Sequence, residues 1–289
     1  HRERGIALLM VLWVLILLGL IGASFLREAR VSTNLARNSV ENAKAEALAE
    51  AGIRRAMLGM LDPDPATAWR ADDTAYQFAF GGGLVVVRIQ DERGKIDLNR
   101  APAPLLLGLF AAVGVDPAVA GRLVDAIYDF RDPDHDRRAG GAEDADYLAA
   151  GLEGGAKDAP FDQKEELLQV IGMEREIFDA IAPYVTVYSG RSRVDIATAP
   201  GVVLRAIPDL TPEQLDRMQA DKSNNARPGA IWADVVTVRA EAHTRGGGSF
   251  IREAVIMRTG DLLSPFAILE WRQEWRRAPE FGEATAAQQ

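Results

Sequence analysis

The densest chemistry in the chain lies between Asp129 and Asp146, which read DFRDPDHDRRAGGAEDAD. Asp132, Asp134 and Asp136 alternate, and Glu143 stands at position 12 counted from Asp132. That is the ligand spacing of an EF-hand loop. Carboxylates at positions 1, 3 and 5 converge as the backbone curls, and a glutamate at position 12 closes the shell with both oxygens. Such hard oxygen donors suit Ca²⁺. Position 6 is Arg137, where an EF-hand needs Gly for its sharp turn, and Gly140 and Gly141 arrive late. The expectation is therefore a looser Ca²⁺ loop rather than a true EF-hand. Asp132, Asp134, Asp136 and Glu143 are its candidate ligands, with Asp144 and Asp146 as spares. The ion would have a structural role, since it draws together carboxylates that otherwise repel. The competing reading is a solvated acidic loop whose Arg–carboxylate pairs contribute little.

Nothing else in the chain has the pattern of a reactive site. Its three His residues, His1, His135 and His243, share no metal-ligand spacing, and there is no Cys. No Gly-x-Ser-x-Gly elbow and no phosphate-binding Gly-x-x-x-x-Gly-Lys-Ser/Thr loop occurs. The expectation is that the protein is not an enzyme. With 33 basic and 42 acidic side chains the net charge is −9, which argues against a general nucleic-acid binder. Hydrophobic content of 48% and charged content of 26% exclude a mostly disordered chain, and 289 residues allow one or two domains. Asp162 and Glu165 before ELLQVI fit a capping box, and Trp232, Trp271 and Trp275 read as packing residues.

The elements that must carry the loop begin with a rod. Residues 6–26, IALLMVLWVLILLGLIGASFL, hold no charge over 21 positions. A helix there covers about 31 Å, the thickness of a bilayer core. A secretory signal peptide is the other reading. However, residues 27–61 contain no Pro and are rich in Ala, Glu, Arg and Leu, so they continue the same helix. Val31, Leu35, Ala43, Ala47, Ala51 and Leu58 form the apolar stripe expected to pack on a soluble domain. Small residues Gly19, Gly22, Ala23 and Ser24 would let neighbouring membrane helices approach closely. Asp62-Pro63-Asp64-Pro65 ends the rod.

After a linker, LVVVRIQ (84–90) and KIDL (95–98) around the turn 91–94 predict a β-hairpin. Three strands are expected at 235–243, 250–258 and 266–276. Between hairpin and strands lies a mostly helical block, residues 99–230, with an internal echo. KIDLNRAPAPLL (95–106) aligns with RVDIATAPGVVL (193–204), keeping Asp97/Asp195, Ala101/Ala199, Pro102/Pro200 and Leu106/Leu204. Each copy reads as strand end, helix, turn, helix, with Asp116-Pro117 and Thr211-Pro212 opening the second helices. These units resemble helix-hairpin-helix or SAM-like modules.

Basic residues, then Gly5, then Ile6-Ala7-Leu8-Leu9 opening a long helix resembles the prepilin processing signature. The resemblance implies a leader of residues 1–5, cleavage between Gly5 and Ile6 by a prepilin peptidase, and methylation of the new N-terminus. Most pilins carry Glu at the fifth mature position, and here that position is Met10. A missing Glu together with a large extra domain resembles the GspK-like minor pseudopilins of type II secretion. Likeness to that family implies an α+β, pilin-like fold: a long N-terminal helix on a small antiparallel sheet. An all-α domain would be inserted at 99–230, with 62–98 and 231–289 supplying the sheet. It also implies Ca²⁺ in the inserted domain and anchoring in the inner membrane by residues 6–26, with the rest in the periplasm. The expected partners are GspI-like and GspJ-like pseudopilins, and the role is initiating and capping the secretion fibre at its tip, with no nucleic acid bound. The alternative is a membrane-anchored, periplasmic helix-hairpin-helix protein that binds DNA, or a minor pilin of a type IV pilus or competence system.

Overall fold

The computed structural model describes residues 3–274 apart from 65, 153, 209, 212, 215, 216 and 218–232. One helix, α1 (Glu3–Met60), runs for 58 residues and ends before Asp62 and Pro63. Among the described residues, no helix is long and apolar enough to cross a membrane. Part of the uncharged run 6–26 lies outside the side chains that are described. The leader residues His1 and Arg2 fall outside the described residues, and so do the side-chain surroundings of Gly5, Ile6, Gly22, Ala23 and Ser24. Gly19 lies within the description, and a Cβ there would meet nothing within 4 Å.

The C-terminal half of α1 lies on a five-stranded antiparallel sheet of order β1-β2-β5-β6-β7. The strands are β1 (Asp72–Phe80), β2 (Gly83–Asp91), β5 (Val235–Thr244), β6 (Ser249–Arg258) and β7 (Phe266–Glu274). Ala49, Ile53, Ala56 and Met60 repeat every three or four residues and, with Leu48, are buried against Val85, Val87, Ile89, Val238, Ala240 and Ile256. This corrects the expected stripe: Leu35 and Leu58 are each 63% exposed, and Ala43 and Ala47 are exposed too. An Ala-rich helix offers a usable apolar row on more than one side. The sheet takes the face that carries Gly52, where a Cβ would lie 2.9 Å from Ala240 Cβ and from Val85 Cγ1.

The hairpin also differs from expectation. β2 pairs with β1 across the Gly81-Gly82 turn, and β1 occupies part of the segment read as linker. Residues 92–94 form a 3₁₀ turn, after which β3 (Ile96–Asp97) leaves the sheet and pairs in parallel with β4 (Val185–Thr186). The expected turn thus redirects the chain instead of folding it back. β2 and β5 are paired at nine positions, from Gly83↔Thr244 to Asp91↔Val236. Everything between them is inserted between two neighbouring strands.

The insert has its own core, built on α2 (Ala103–Ala112), α3 (Pro117–Arg131), α4 (Asp144–Ala149), α5 (Arg175–Ile181) and α6 (Gly201–Ala206). The two echoed copies face one another: α2 packs on α6, and a Cβ on Gly108 would lie 2.0 Å from the Ala206 carbonyl oxygen. Only Gly permits that approach. Asp97 and Asp195 do the same work in each copy. Asp97 accepts from the Asn99 N–H at 2.9 Å, and Asp195 from the Ala197 N–H at 3.0 Å. Much of the second copy's later helix, from Pro212 on, lies outside the described residues. The capping box read at Asp162 and Glu165 is displaced. Glu166 accepts from the Asp162 N–H at 3.0 Å, and the 3₁₀ turn 164–169 begins after Gln163.

Candidate metal centre

The acidic loop hangs from the end of α3. Asp116 caps that helix, accepting from the N–H groups of Ala118 and Val119 at 2.9 and 3.2 Å, with Pro117 at its first position. Ala120, Leu123, Val124, Ile127 and Phe130 bury one face of it. The same register carries Asp129, one residue before Phe130, into the interior, where it is fully buried. Its Oδ2 accepts from the Arg138 N–H at 3.1 Å, while its Oδ1 has no hydrogen-bond partner. The late glycines explain how the loop closes. A Cβ on Gly141 would sit 2.0 Å from Asp129 Oδ2, so the returning strand touches the carboxylate only because that side chain is absent. Beside it the Gly140 N–H donates to Asp125 Oδ2 at 2.9 Å.

Glu143 then precedes α4, whose Asp146 accepts from the Glu143 N–H at 3.1 Å. Glu143 is buried and neither of its carboxylate oxygens has a partner. Asp132 Oδ1 and Asp158 Oδ1 are buried and unpartnered as well. Ligand atoms of His135, Glu143 and Asp158 all lie within 4.8 Å of one another. His135 Nδ1 is 3.6 Å from Asp158 Oδ2.

Electrostatics agrees with the geometry. The Glu143 carboxyl is pushed above the usual carboxylate range by burial and by the charges of Asp129, Asp158 and Asp132. Asp129 is raised by burial and by Asp132 and Asp125, against the pull of Arg138. Asp132 is raised by burial and by Asp134 and Asp158, against Arg138 and Arg131. Buried carboxyls of raised value that each leave an oxygen without a hydrogen-bond donor are costly to keep charged without a cation. Glu143 and Asp158 are close enough to share a hard divalent cation, and Asp129 and Asp132 add orphaned oxygens of the same donor chemistry beside them. His135, with 73% of its side chain exposed, stands at the rim.

The ligands read from the sequence are divided by the fold. Asp132 and Glu143 are brought together. Asp134 is exposed and accepts from the Asp136 N–H at 2.9 Å, and Asp136 is exposed. Asp144 is exposed in the first turn of α4, so close to Gly155 that a Cβ there would be 1.7 Å from its Oδ1. Sequence spacing passed over Asp129 and Asp158. Asp129 carried a signal, since a carboxylate on the buried face of an amphipathic helix needs a partner. Asp158 carried none in its spacing. It sits in a loop after α4, with a positive φ of 51°.

Residues 86–190, which hold most of β2, α2 to α5 and this cluster, match the family model of type II secretion system protein K. The type II secretion system protein K of Klebsiella pneumoniae is 27% identical over 260 residues, covering 81% of this chain and 78% of that protein. Over that segment the chain is similar to the protein K family of type II secretion. The fold agrees with a solved structure. In the GspK-GspI-GspJ complex from the type 2 secretion system of enterotoxigenic Escherichia coli, one chain superposes with a TM-score of 0.54 at 18% identity. The match covers 86% of this chain and 99% of that one.

Proposed function

We propose that this chain sits at the tip of a type II secretion pseudopilus, where it initiates and caps the fibre during export of folded proteins across the outer membrane. The carrying observation is the place of the helical block, cut between the paired strands β2 and β5 of the layer that α1 covers. A fibre of such subunits grows by stacking sheets around bundled helices. A subunit that bears a second core of this size obstructs the addition of another subunit above it. The sheet takes one face of α1, and Leu35, Val40, Ala43, Ala47 and Leu58 stay exposed for partner helices. GspI-like and GspJ-like subunits are the proposed partners, by analogy with the complex of the E. coli protein.

In this reading residues 6–26 anchor the chain in the inner membrane, and the rest is periplasmic. Prepilin peptidase cuts between Gly5 and Ile6, and Ile6 is then methylated. Met10 replaces the glutamate that other pilins use to neutralise a neighbour's N-terminus, a charge that lipid makes costly without its partner. The echoed helical units act as SAM-like packing modules, and Ca²⁺ held by Asp129, Asp132, Glu143 and Asp158 keeps the insert compact. Gold-labelled antibody on sheared pseudopili tests the placement. Label at one end of each fibre is expected, and label along the shaft refutes it. Mass analysis of the N-terminus from purified membranes is expected to give methylated Ile6.

A further inference from the structure

The molecule has two separate apolar cores, one between α1 and the sheet and one inside the helical block. Polar side chains bridge them. At the point where the chain leaves β2 for the insert, Glu92 and Lys95 are 2% and 6% exposed. Glu92 Oε1 accepts from Lys95 Nζ at 2.5 Å and from Thr237 Oγ1 at 2.5 Å, and Lys95 Nζ also donates to Thr237 Oγ1 at 2.9 Å. Glu92 Oε2 accepts from Thr186 Oγ1. Thr237 belongs to β5 of the sheet, and Thr186 to β4 of the insert.

We propose that Glu92 and Lys95, with Thr186 and Thr237, form an orientation lock that holds the helical block at one angle to the helix-and-sheet layer. One oxygen of Glu92 is satisfied from the sheet and the other from the insert, so both are satisfied only when the block is seated. Displacing the block strands a buried carboxylate, and hydrogen bonds are directional where apolar contact is not. An apolar seam would tolerate sliding; this one does not. The outer contacts add less, because they are wetter. Lys164 lies 3.6 Å from Glu253, Arg272 lies 2.8 Å from Glu165, and Tyr188 donates to Glu270 at 3.1 Å. The lock does not depend on tip placement, and a shaft location would leave it standing.

Because the chain has no Cys, two introduced thiols take spin labels cleanly in the full-length protein in detergent. Leu58→Cys on α1 and Ala180→Cys on α5 place them on exposed positions of the two parts. Pulsed dipolar spectroscopy is expected to give one narrow distance distribution in the parent. Lys95→Met, which leaves Glu92 buried and unpaired, is expected to broaden it about twofold while far-UV circular dichroism stays unchanged. Glu92→Gln with Lys95→Met removes the stranded charge and is expected to restore melting but not the narrow distribution. Widths equal to the parent's in both variants overturn the lock. Should Lys95→Met fail to fold, the double variant decides alone, a narrow distribution overturning the proposal and a broad one supporting it.

Discussion

Glu143→Gln separates a cation site from an ordinary acidic loop by the sign of its effect. Without an ion, the parent holds Glu143 buried with both oxygens unpartnered, beside Asp129, Asp132 and Asp158. The amide removes one charge from that cluster and brings an N–H₂ donor to orphaned acceptors. At about 1–3 kcal/mol for a buried polar group left unsatisfied, the variant should be more stable than the parent in chelator by about 1 kcal/mol or more. For a chain of this size that is a rise of roughly 2–4 °C in Tm per kcal/mol. With Ca²⁺ at about 100 times its Kd the parent gains about 2.7 kcal/mol, and the variant, short of a bidentate ligand, gains little. The two melting curves must therefore change order between chelator and Ca²⁺. The assay is differential scanning calorimetry of the full-length protein in detergent, across a Ca²⁺ titration. Mild acid should mimic the substitution in chelator. The Glu143 value is raised, so its charge penalty is present at neutral pH and is relieved as pH falls through the folded value. A variant less stable than the parent in chelator, with an unchanged Ca²⁺ response, would refute the reasoning.

Asp158→Asn should abolish the Ca²⁺-induced rise in Tm although it lies 15 positions beyond Glu143, while Asp136→Asn should leave the rise intact, because Asp136 is exposed; the same calorimetry reads both. Leu58→Asp on the outer face of α1 should leave the folding stability within about 0.5 kcal/mol of the parent, since exposed substitutions cost little, yet remove the subunit from purified pseudopili on immunoblots. Glu92 is depressed below the usual carboxylate range, its burial penalty outweighed by Lys95, Thr186 and Thr237, so its stabilisation is complete above the unfolded value and is lost as pH falls through the folded one. Acid titration of stability should therefore be steeper in the parent than in Glu92→Gln, and equal slopes would count against the pairing.

The parts of the fold that the sequence made legible are those set by local periodicity. The rod to Met60, the strands β5, β6 and β7, and the Asp116-Pro117 helix start each arise from a run of neighbouring residues. The misread parts depend on partners far along the chain. KIDL has the composition of a hairpin strand, but β3 pairs with β4 some 89 residues later, and the hairpin partner of β2 lies upstream at Asp72–Phe80. The acidic loop shows the same division. Asp132 and Glu143 were found by spacing, because that segment curls on itself. Asp158 arrives from beyond α4, and only the fold reveals it. The alternation Asp132-x-Asp134-x-Asp136 promised convergence, but Asp134 and Asp136 remain in solvent. Without Gly at position 6 the turn that would draw them inward is missing, and the late Gly141 closes the loop against Asp129 instead.

The α1 correction bears most on function. A pilin-type helix has to satisfy two surfaces at once, the sheet of its own chain and the helices of its neighbours, and a single apolar stripe serves only one. Leu48, Ala49, Ile53 and Ala56 meet the sheet of this chain. The row through Leu35, Ala43, Ala47 and Leu58 is left in solvent, a cost that a monomer has no reason to carry. Periodicity alone could not divide the two rows, since both repeat at helical spacing. The division is set by the sheet, which packs on the face that carries Gly52, where a Cβ would lie 2.9 Å from Ala240 Cβ and from Val85 Cγ1. Leu35 and Leu58 are thereby left facing outward, where a partner helix of the bundle can cover them.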